Sequence, residues 1–305
     1  MQNPSDLKIG IVGNCYFDEV YILERFPQPD DKVTAIDLKV NLGGSATNTA
    51  VGLAKLGIKP ILISAIGNDK SGNLIYDELT IRNIDPSYLI KTDGQTGRTI
   101  ILLDEKKTST KIGFPGASAK LIHGLENSDV MDIEFDLIHL ASVDLETASF
   151  IAKHANYRFL TLDFGARTLQ ASDDEINAFL PKLNIAFLNR NVFHRLYPNS
   201  KLEVQDLKEL ELPCNIVLTA GPKGMFSKVN GEVFYQGIYD VEVVDTTGAG
   251  DAAASAILWG TLLEKKWDDI LKIASALAAI KIGTYGASNG HPTMEQINTF
   301  LENRE

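Results

Sequence analysis

The stretch Val243-Val244-Asp245-Thr246-Thr247-Gly248-Ala249-Gly250-Asp251 gathers the residue types that phosphoryl chemistry needs. Its glycines let the backbone come close to a ligand and adopt positive φ. A run of small apolar residues follows and predicts a helix from Gly250 to Leu263, with a strand ending at Val244 ahead of the turn. The unpaired N–H groups of a helix start attract an anion. Asp251 then has two readings. It is a helix-start acid, favoured by the dipole by about 0.3–1 kcal/mol, or it is a base next to an anion. Two threonines and a second acid, Asp245, surround the turn and favour the base. Phosphoryl transfer needs donors for a developing negative charge and a group that accepts the attacking hydroxyl's proton.

A second cluster lies near the N-terminus. Gly43 and Gly44 precede a helical pattern from Ala46 to Leu56 that Gly57 is placed to end. The glycine pair is a tight turn or a ligand contact. Asn48 is a solvent-facing helix residue or a ligand-facing one. A polar face on an otherwise apolar helix, just after two glycines, favours a ligand for both.

These residues need a frame. Lys8 to Gly13 and Ile61 to Gly67 read as buried strands, and Ser71 to Arg82 as a helix. Leu137–Ala141 and Phe159–Asp163 read as strands with helices after Asp144 and Ser172, and Ile185–Leu188 and Ile216–Thr219 as further short strands. Alternating strands and helices predict a mainly parallel sheet covered by helices on both faces, a three-layer α/β/α fold. Phe226 to Tyr235 is a hairpin around Asn230-Gly231. Helices are expected at Asp268–Gly283 and after Pro292, where Thr293 and Gln296 have capping-box spacing. Val33–Val40 and the hairpin Gly97–Phe114, turning at Asp104 to Lys107, do not alternate with helices. They predict a small β-sheet lid, with lid segments at about 14–41 and 95–115 of a single domain spanning 1–305.

Composition narrows the function. The 305 residues are 44% hydrophobic and 23% charged, with a formal net charge of −11. An acidic chain is a poor partner for nucleic acid or an anionic membrane surface. There is no eighteen-residue apolar run and no signal-peptide stretch at the N-terminus. The two cysteines, Cys15 and Cys214, lie far apart and fit a cytoplasmic protein. Gly10-Ile11-Val12-Gly13 lacks the dinucleotide pattern, and the absence of any Gly-Lys dipeptide argues against a P-loop.

Asp245-Thr246-Thr247-Gly248-Ala249-Gly250-Asp251 resembles a motif of the ribokinase-like (PfkB) carbohydrate and nucleoside kinases. Gly43-Gly44-Ser45-Ala46-Thr47-Asn48, Gly67-Asn68-Asp69-Lys70-Ser71-Gly72 and Thr219-Ala220-Gly221-Pro222-Lys223-Gly224 also match, in family order and over nearly the whole chain. The resemblance implies an ATP-dependent kinase with Mg2+ and, as in some members, K+. Asp251 would be the general base, and the Gly248 turn with the amides of Ala249, Gly250 and Asp251 the anion hole. Asp18, Gly43, Gly44 and Asn48 would bind the acceptor, with Tyr16 and Arg98 beside it. Asn189, Thr219, Gly221, Gly224 and Thr246 would line the ATP site. Asp245 and Thr247 would hold the monovalent cation, with the loop Gly286 to Ser288.

The sequence departs from the pattern at several points. The family's Asn-x-x-Glu corresponds to Asn189-Arg190-Asn191-Val192, and Val192 cannot organise metal-bound water. Tyr16, Ser45 and Ala141 stand where ribokinases proper carry polar contacts, which argues against ribose. Arg98 and Arg167 are candidates for an acidic or phosphorylated acceptor and equally for ordinary ion pairs. The acceptor is expected to be a small sugar or sugar derivative. The alternatives are a nucleoside, favoured by Tyr16 and a lid containing Phe114, and a catalytically impaired binding or regulatory protein, favoured by Val192. A homodimer through the lid is a further expectation.

Overall fold

The computed structural model describes residues 6–104, 108–201 and 203–304. In chain order its elements are β1 (Ile9–Gly13), β2 (Tyr16–Leu23), β3 (Asp37–Gly43), α1 (Ser45–Lys55), β4 (Ile61–Gly67), α2 (Lys70–Ile81), β5 (Leu89–Thr92), β6 (Arg98–Asp104) and β7 (Ser109–Phe114). There follow α3 (Leu121–Leu125), β8 (Glu134–Ala141), α4 (Leu145–His154), β9 (Asn156–Asp163), α5 (Asp173–Phe179), β10 (Ile185–Asn189), α6 (Arg190–Leu196) and α7 (Val204–Glu209). The last are β11 (Asn215–Thr219), β12 (Met225–Val229), β13 (Glu232–Gln236), α8 (Ala249–Leu262), α9 (Trp267–Ile282) and α10 (Met294–Glu302).

The strands form a nine-stranded sheet, β13-β12-β11-β10-β9-β8-β1-β4-β5, and a four-stranded sheet, β3-β2-β6-β7. From β5 across to β11 the strands of the large sheet pair in parallel, and only β12 runs against them, pairing antiparallel with both β11 and β13. Alternation along the strands divides the core. Ile9, Ile11, Leu62 and Ile66 face α1, α2, α8, α9 and α10, whereas Val12, Ile63 and Ala65 join a second cluster with α3 to α7. This is the three-layer arrangement expected from the alternation of strands and helices. No helix among the described residues is long and apolar enough to cross a membrane.

Local chemistry explains where elements begin. Asp69, Asp144 and Ser172 cap α2, α4 and α5, and Thr293 with Gln296 makes the expected capping box of α10. Asn230 and Gly231 both have positive φ, as the tight β12–β13 turn demands.

Four expectations change. The strand assigned to Val33–Val40 is Asp37–Gly43, because the polar segment before it carries turn residues rather than an alternating pattern. Strand β2 was not expected, since its inner face carries Tyr16 and Asp18 where apolar residues would have revealed it. The four-residue β5 was too short to stand out. No strand precedes the Asp245–Asp251 turn: Val244 and Asp245 instead donate their amides to the Ile282 carbonyl at the end of α9, at 2.8 and 3.0 Å. Residues 105–107 of the β6–β7 turn lie outside the described residues.

Candidate active site

Helix α8 begins where it does because of Gly248. Its φ is 81°, and a Cβ there would stand 2.6 Å from the Ala287 carbonyl oxygen, so any side chain would be strained and would force the backbone to shift. The Ala249 amide turns back to the Thr246 carbonyl at 3.2 Å. The amides of Gly250 and Asp251 find no backbone acceptor among the described residues, and a Cβ on Gly250 would meet nothing within 4 Å. Two free N–H groups therefore face open space at the positive end of a helix of 14 residues. Of the three amides expected in the anion hole, Ala249 is already engaged.

Asp251 lies in the first turn of α8 and is only 9% exposed. Its Oδ2 accepts a hydrogen bond from Asn48 Nδ2 at 2.7 Å. This contact depends on close helix packing. One turn further along both helices, Gly52 of α1 faces Ser255 of α8, and a Cβ on Gly52 would lie 2.2 Å from Ser255 Oγ. Burial pushes the Asp251 carboxyl up to about 6, with hydrogen bonds from Asn48 and Ser45 and the charge of Lys281 pulling it down and Asp18 pushing it up. At neutral pH the carboxylate is mostly ionised and still a usable base. The amide oxygen of Asn48, Oδ1, is buried with no partner among the described residues. Asn48 is thus turned inward, and its orphan acceptor points to a ligand donor.

Asp18 reaches the same region from β2. Gly43 leaves room for it, because a Cβ there would sit 2.4 Å from the Asp18 carboxyl. Gly44, at φ 96°, comes so near the Asn14 carbonyl that a Cβ would be 2.2 Å away. Burial raises the Asp18 carboxyl, against a hydrogen bond from Thr99 and the charge of Lys111. Tyr16 is close by, with its hydroxyl accepting from Asn14 Nδ2 at 3.5 Å. Burial raises the Tyr16 phenol, and the charge of Asp18 adds to it.

Register separates Arg98 from this group. Asp18 pairs across with Thr99 and Asn41, so these share one face of the small sheet, while Arg98, Phe17 and Phe114 lie on the other. Arg98 Nη1 pairs there with Glu19 Oε1 at 3.4 Å. The placement of Arg98 and Phe114 beside the acceptor is therefore corrected. Arg167 is on the acceptor side, bonded to Asn14 Oδ1 at 3.2 Å and to Asp144 Oδ2 at 2.6 Å.

On the far side of the α8 start lies a cleft of about 640 Å³. Asn189, Thr219, Gly221, Gly224, Thr246 and Gly250 line one part, and Met225, Ile238, Val243, Ala279 and Ile282 supply apolar walls. All five residues expected along ATP are brought together here. Asn189 also caps α6, its Oδ1 accepting from the amides of Asn191 and Val192 at 2.9 and 3.0 Å. Val192 is buried in the apolar core and turned away from metal chemistry. No three Asp, Glu, His or Cys side chains cluster for a metal among the described residues.

The proposed monovalent-cation position has a different occupant. Burial would raise Asp245, but the amides of Thr247 and Gly286, bonded at 2.9 and 3.0 Å, hold it below the usual carboxylate range. Lys281 Nζ donates to the Thr247 carbonyl and, at 3.5 Å, to that of Asp245. The residues present do not fit an added cation.

Two residues escaped sequence reasoning. Asp163 ends β9, where its carbonyl accepts from the amides of Ser142 and Gly165 at 3.2 and 3.0 Å, and its carboxyl is pushed up to about 7 by burial and by the charge of Asp251. Nothing in its own strand pattern distinguishes it. Lys281 did have a signal: it falls on the buried face of α9 in step with Ile270, Ala274 and Leu277.

The sequence matches the pfkB family carbohydrate kinase description over residues 6–294. It is 26% identical over 300 residues to a nucleoside kinase of Methanocaldococcus jannaschii, covering 97% of each chain. It is 25% identical to the ribokinase of Bacillus subtilis, covering 96% of this chain and 99% of that one. Among solved structures, Thermotoga maritima ribokinase superposes with a TM-score of 0.85 at 27% identity, over 97% of this chain and all of that one.

Proposed function

Since this chain belongs to the pfkB family of carbohydrate kinases and is an ATP-dependent kinase of the ribokinase type, we propose that it phosphorylates a hydroxyl of a neutral sugar or sugar derivative with Asp251 as base. The observation that carries this reading is the adjacency of the Asp251 carboxylate, held by Asn48 at 2.7 Å, to the free amides of Gly250 and Asp251. The acceptor hydroxyl gives its proton to Asp251 as its oxygen attacks the γ-phosphorus, while the bond from that phosphorus to the β,γ-bridging oxygen breaks and ADP leaves with the electron pair. The two amides and the α8 dipole stabilise the charge on the transferred group. ATP lies in the cleft with its phosphates toward Thr246 and Gly250 and its base against the apolar walls.

Asp18, Gly43, Gly44 and Asn48 supply the acceptor site, and Tyr16 closes its edge. Asp18 and the orphan Asn48 Oδ1 take hydrogen bonds from hydroxyl groups. Arg98 and Arg167 are each already paired with a carboxylate, Glu19 and Asp144, which supports a neutral acceptor over an acidic one. Magnesium would arrive with ATP and would take its ligands mostly from phosphate and water, since no three Asp, Glu, His or Cys side chains cluster for a metal among the described residues. A nucleoside is the second reading, since the half-buried Tyr16 ring gives a nucleobase or ribose a surface to lie on.

The small sheet acts as a lid over the acceptor. Its far face exposes Leu38, Val40, Ile112 and Phe114, which supports a homodimer through that face. Both cysteines are unpaired, which supports a cytoplasmic location. The functional test is a coupled assay of ATP consumption over neutral sugars, nucleosides and sugar acids. Stimulation by a neutral polyol is expected. Stimulation by sugar acids alone contradicts the neutral-acceptor reading, and no stimulation by any class favours a binding protein.

A further inference from the structure

We infer that Lys281 is a tethered replacement for a monovalent cation, fixing the turn before α8 so that phosphoryl transfer by this enzyme needs no K+. The inference rests on the proposed role of the α8 amides.

Lys281 is fully buried, and it is the only buried lysine or arginine among the described residues. A lysine ammonium inside a core is costly unless oxygens replace its water. Here the replacement is specific. Nζ donates to the carbonyls of Thr247 and Asp245, the two residues whose oxygens would otherwise face a bound cation. An ammonium and a potassium ion carry the same charge and both accept carbonyl oxygens as neighbours. One group therefore substitutes for the other, with the difference that Lys281 is covalently attached and does not dissociate.

Its position gives it leverage on the chemistry. The Thr247 carbonyl belongs to the peptide that enters Gly248, the N-cap of α8. The Asp245 carboxylate ties the same turn to Gly286 on the other side. The backbone of the anion hole is thus fastened to α9 by the Lys281 cation and to the 284–290 turn by the Asp245 carboxylate. Lys281 touches neither ATP nor acceptor in this arrangement, so it is a positioning residue. Its positive charge also faces the Asp251 carboxylate at longer range.

The test begins with the unaltered protein. Turnover is measured at constant ionic strength with KCl replaced stepwise by tetramethylammonium chloride, and the thermal midpoint of the nucleotide-free protein is followed in the same series. Turnover within about twofold and an unchanged midpoint are expected. A large activation by K+, or a midpoint that climbs with K+, overturns the inference. The midpoint series needs no substrate, so it tests Lys281 even if the acceptor is misassigned. In Lys281→Ala the side-chain space opens. Turnover without K+ is expected to fall about 10²-fold, as for a small misplacement of reacting groups, and to recover with KCl or ammonium chloride. Full activity of Lys281→Ala in tetramethylammonium chloride also overturns it. If that variant does not fold, the two measurements on the unaltered protein decide alone.

Discussion

The two sides of the reaction centre are built differently. The phosphate side is made of backbone. Its donors are amides at the start of α8, a helix with 11 of its 14 residues buried, and its shape is set by Gly248 against Ala287 and by Lys281 beneath the turn. The acceptor side is made of side chains, Asp18, Asn48 and Tyr16, and it leans on a small sheet whose strand β7 is exposed along its whole length. Backbone donors cannot be exchanged by substitution, so the first side keeps one chemistry. The second side is free to change its acceptor by changing single residues.

If the phosphate side carries the chemistry, substitutions there should be severe and those in the small sheet mild. The largest effect is expected for Asp251→Asn, with turnover reduced about 10²–10⁴-fold because the general base is lost. The same variant is expected to gain stability at pH 7.5. The folded carboxyl titrates near 6 against an ordinary 3.8. Between those values the folded protein holds a proton that the unfolded chain releases, so stability falls as pH rises through that window. Removing the charge should return about 1–3 kcal/mol, read from denaturant unfolding.

Gly248→Ala comes next. Its Cβ would meet the Ala287 carbonyl and its φ is positive. Turnover should drop about 10²-fold through displacement of the anion hole, with a stability loss of about 1–3 kcal/mol from strain. A Gly248→Ala enzyme with unaltered kinetics would break the comparison. Arg98→Ala should be the mildest. Its ion pair with Glu19 is partly exposed and lies on the face away from Asp18, so kcat and KM should stay within about twofold and stability within about 1 kcal/mol.

The same contrast governs what was legible in the sequence. Gly248, Gly250 and Asp251 could be read because a backbone cradle demands glycine at fixed spacing before a helix. The central sheet was equally clear, because strands such as Ile61–Gly67 are continuously apolar. The small sheet was harder. Strand β2 mixes site residues with core residues, and Arg98 could be assigned to a face only once the β2–β6 register was known. Asp163 and Lys281 are positions where an ionisable group sits among core residues, and a strand or helix pattern alone does not say what such a group meets. At Asp245 and Thr247, where a cation was expected, the Thr247 carbonyl already accepts from Lys281 Nζ, a partner from α9 more than thirty residues along the chain that no local pattern could reveal.

The most direct test of Asp251 as the base is the pH dependence of kcat/KM in the unaltered protein and in Asn48→Ala. The account predicts an acid limb near pH 6, where the buried carboxyl gains its proton. It also predicts an upward shift of that limb in Asn48→Ala, because the hydrogen bond that favours the ionised form is gone. A profile flat from pH 5 to 8, or a limb that Asn48→Ala leaves unmoved, would contradict it.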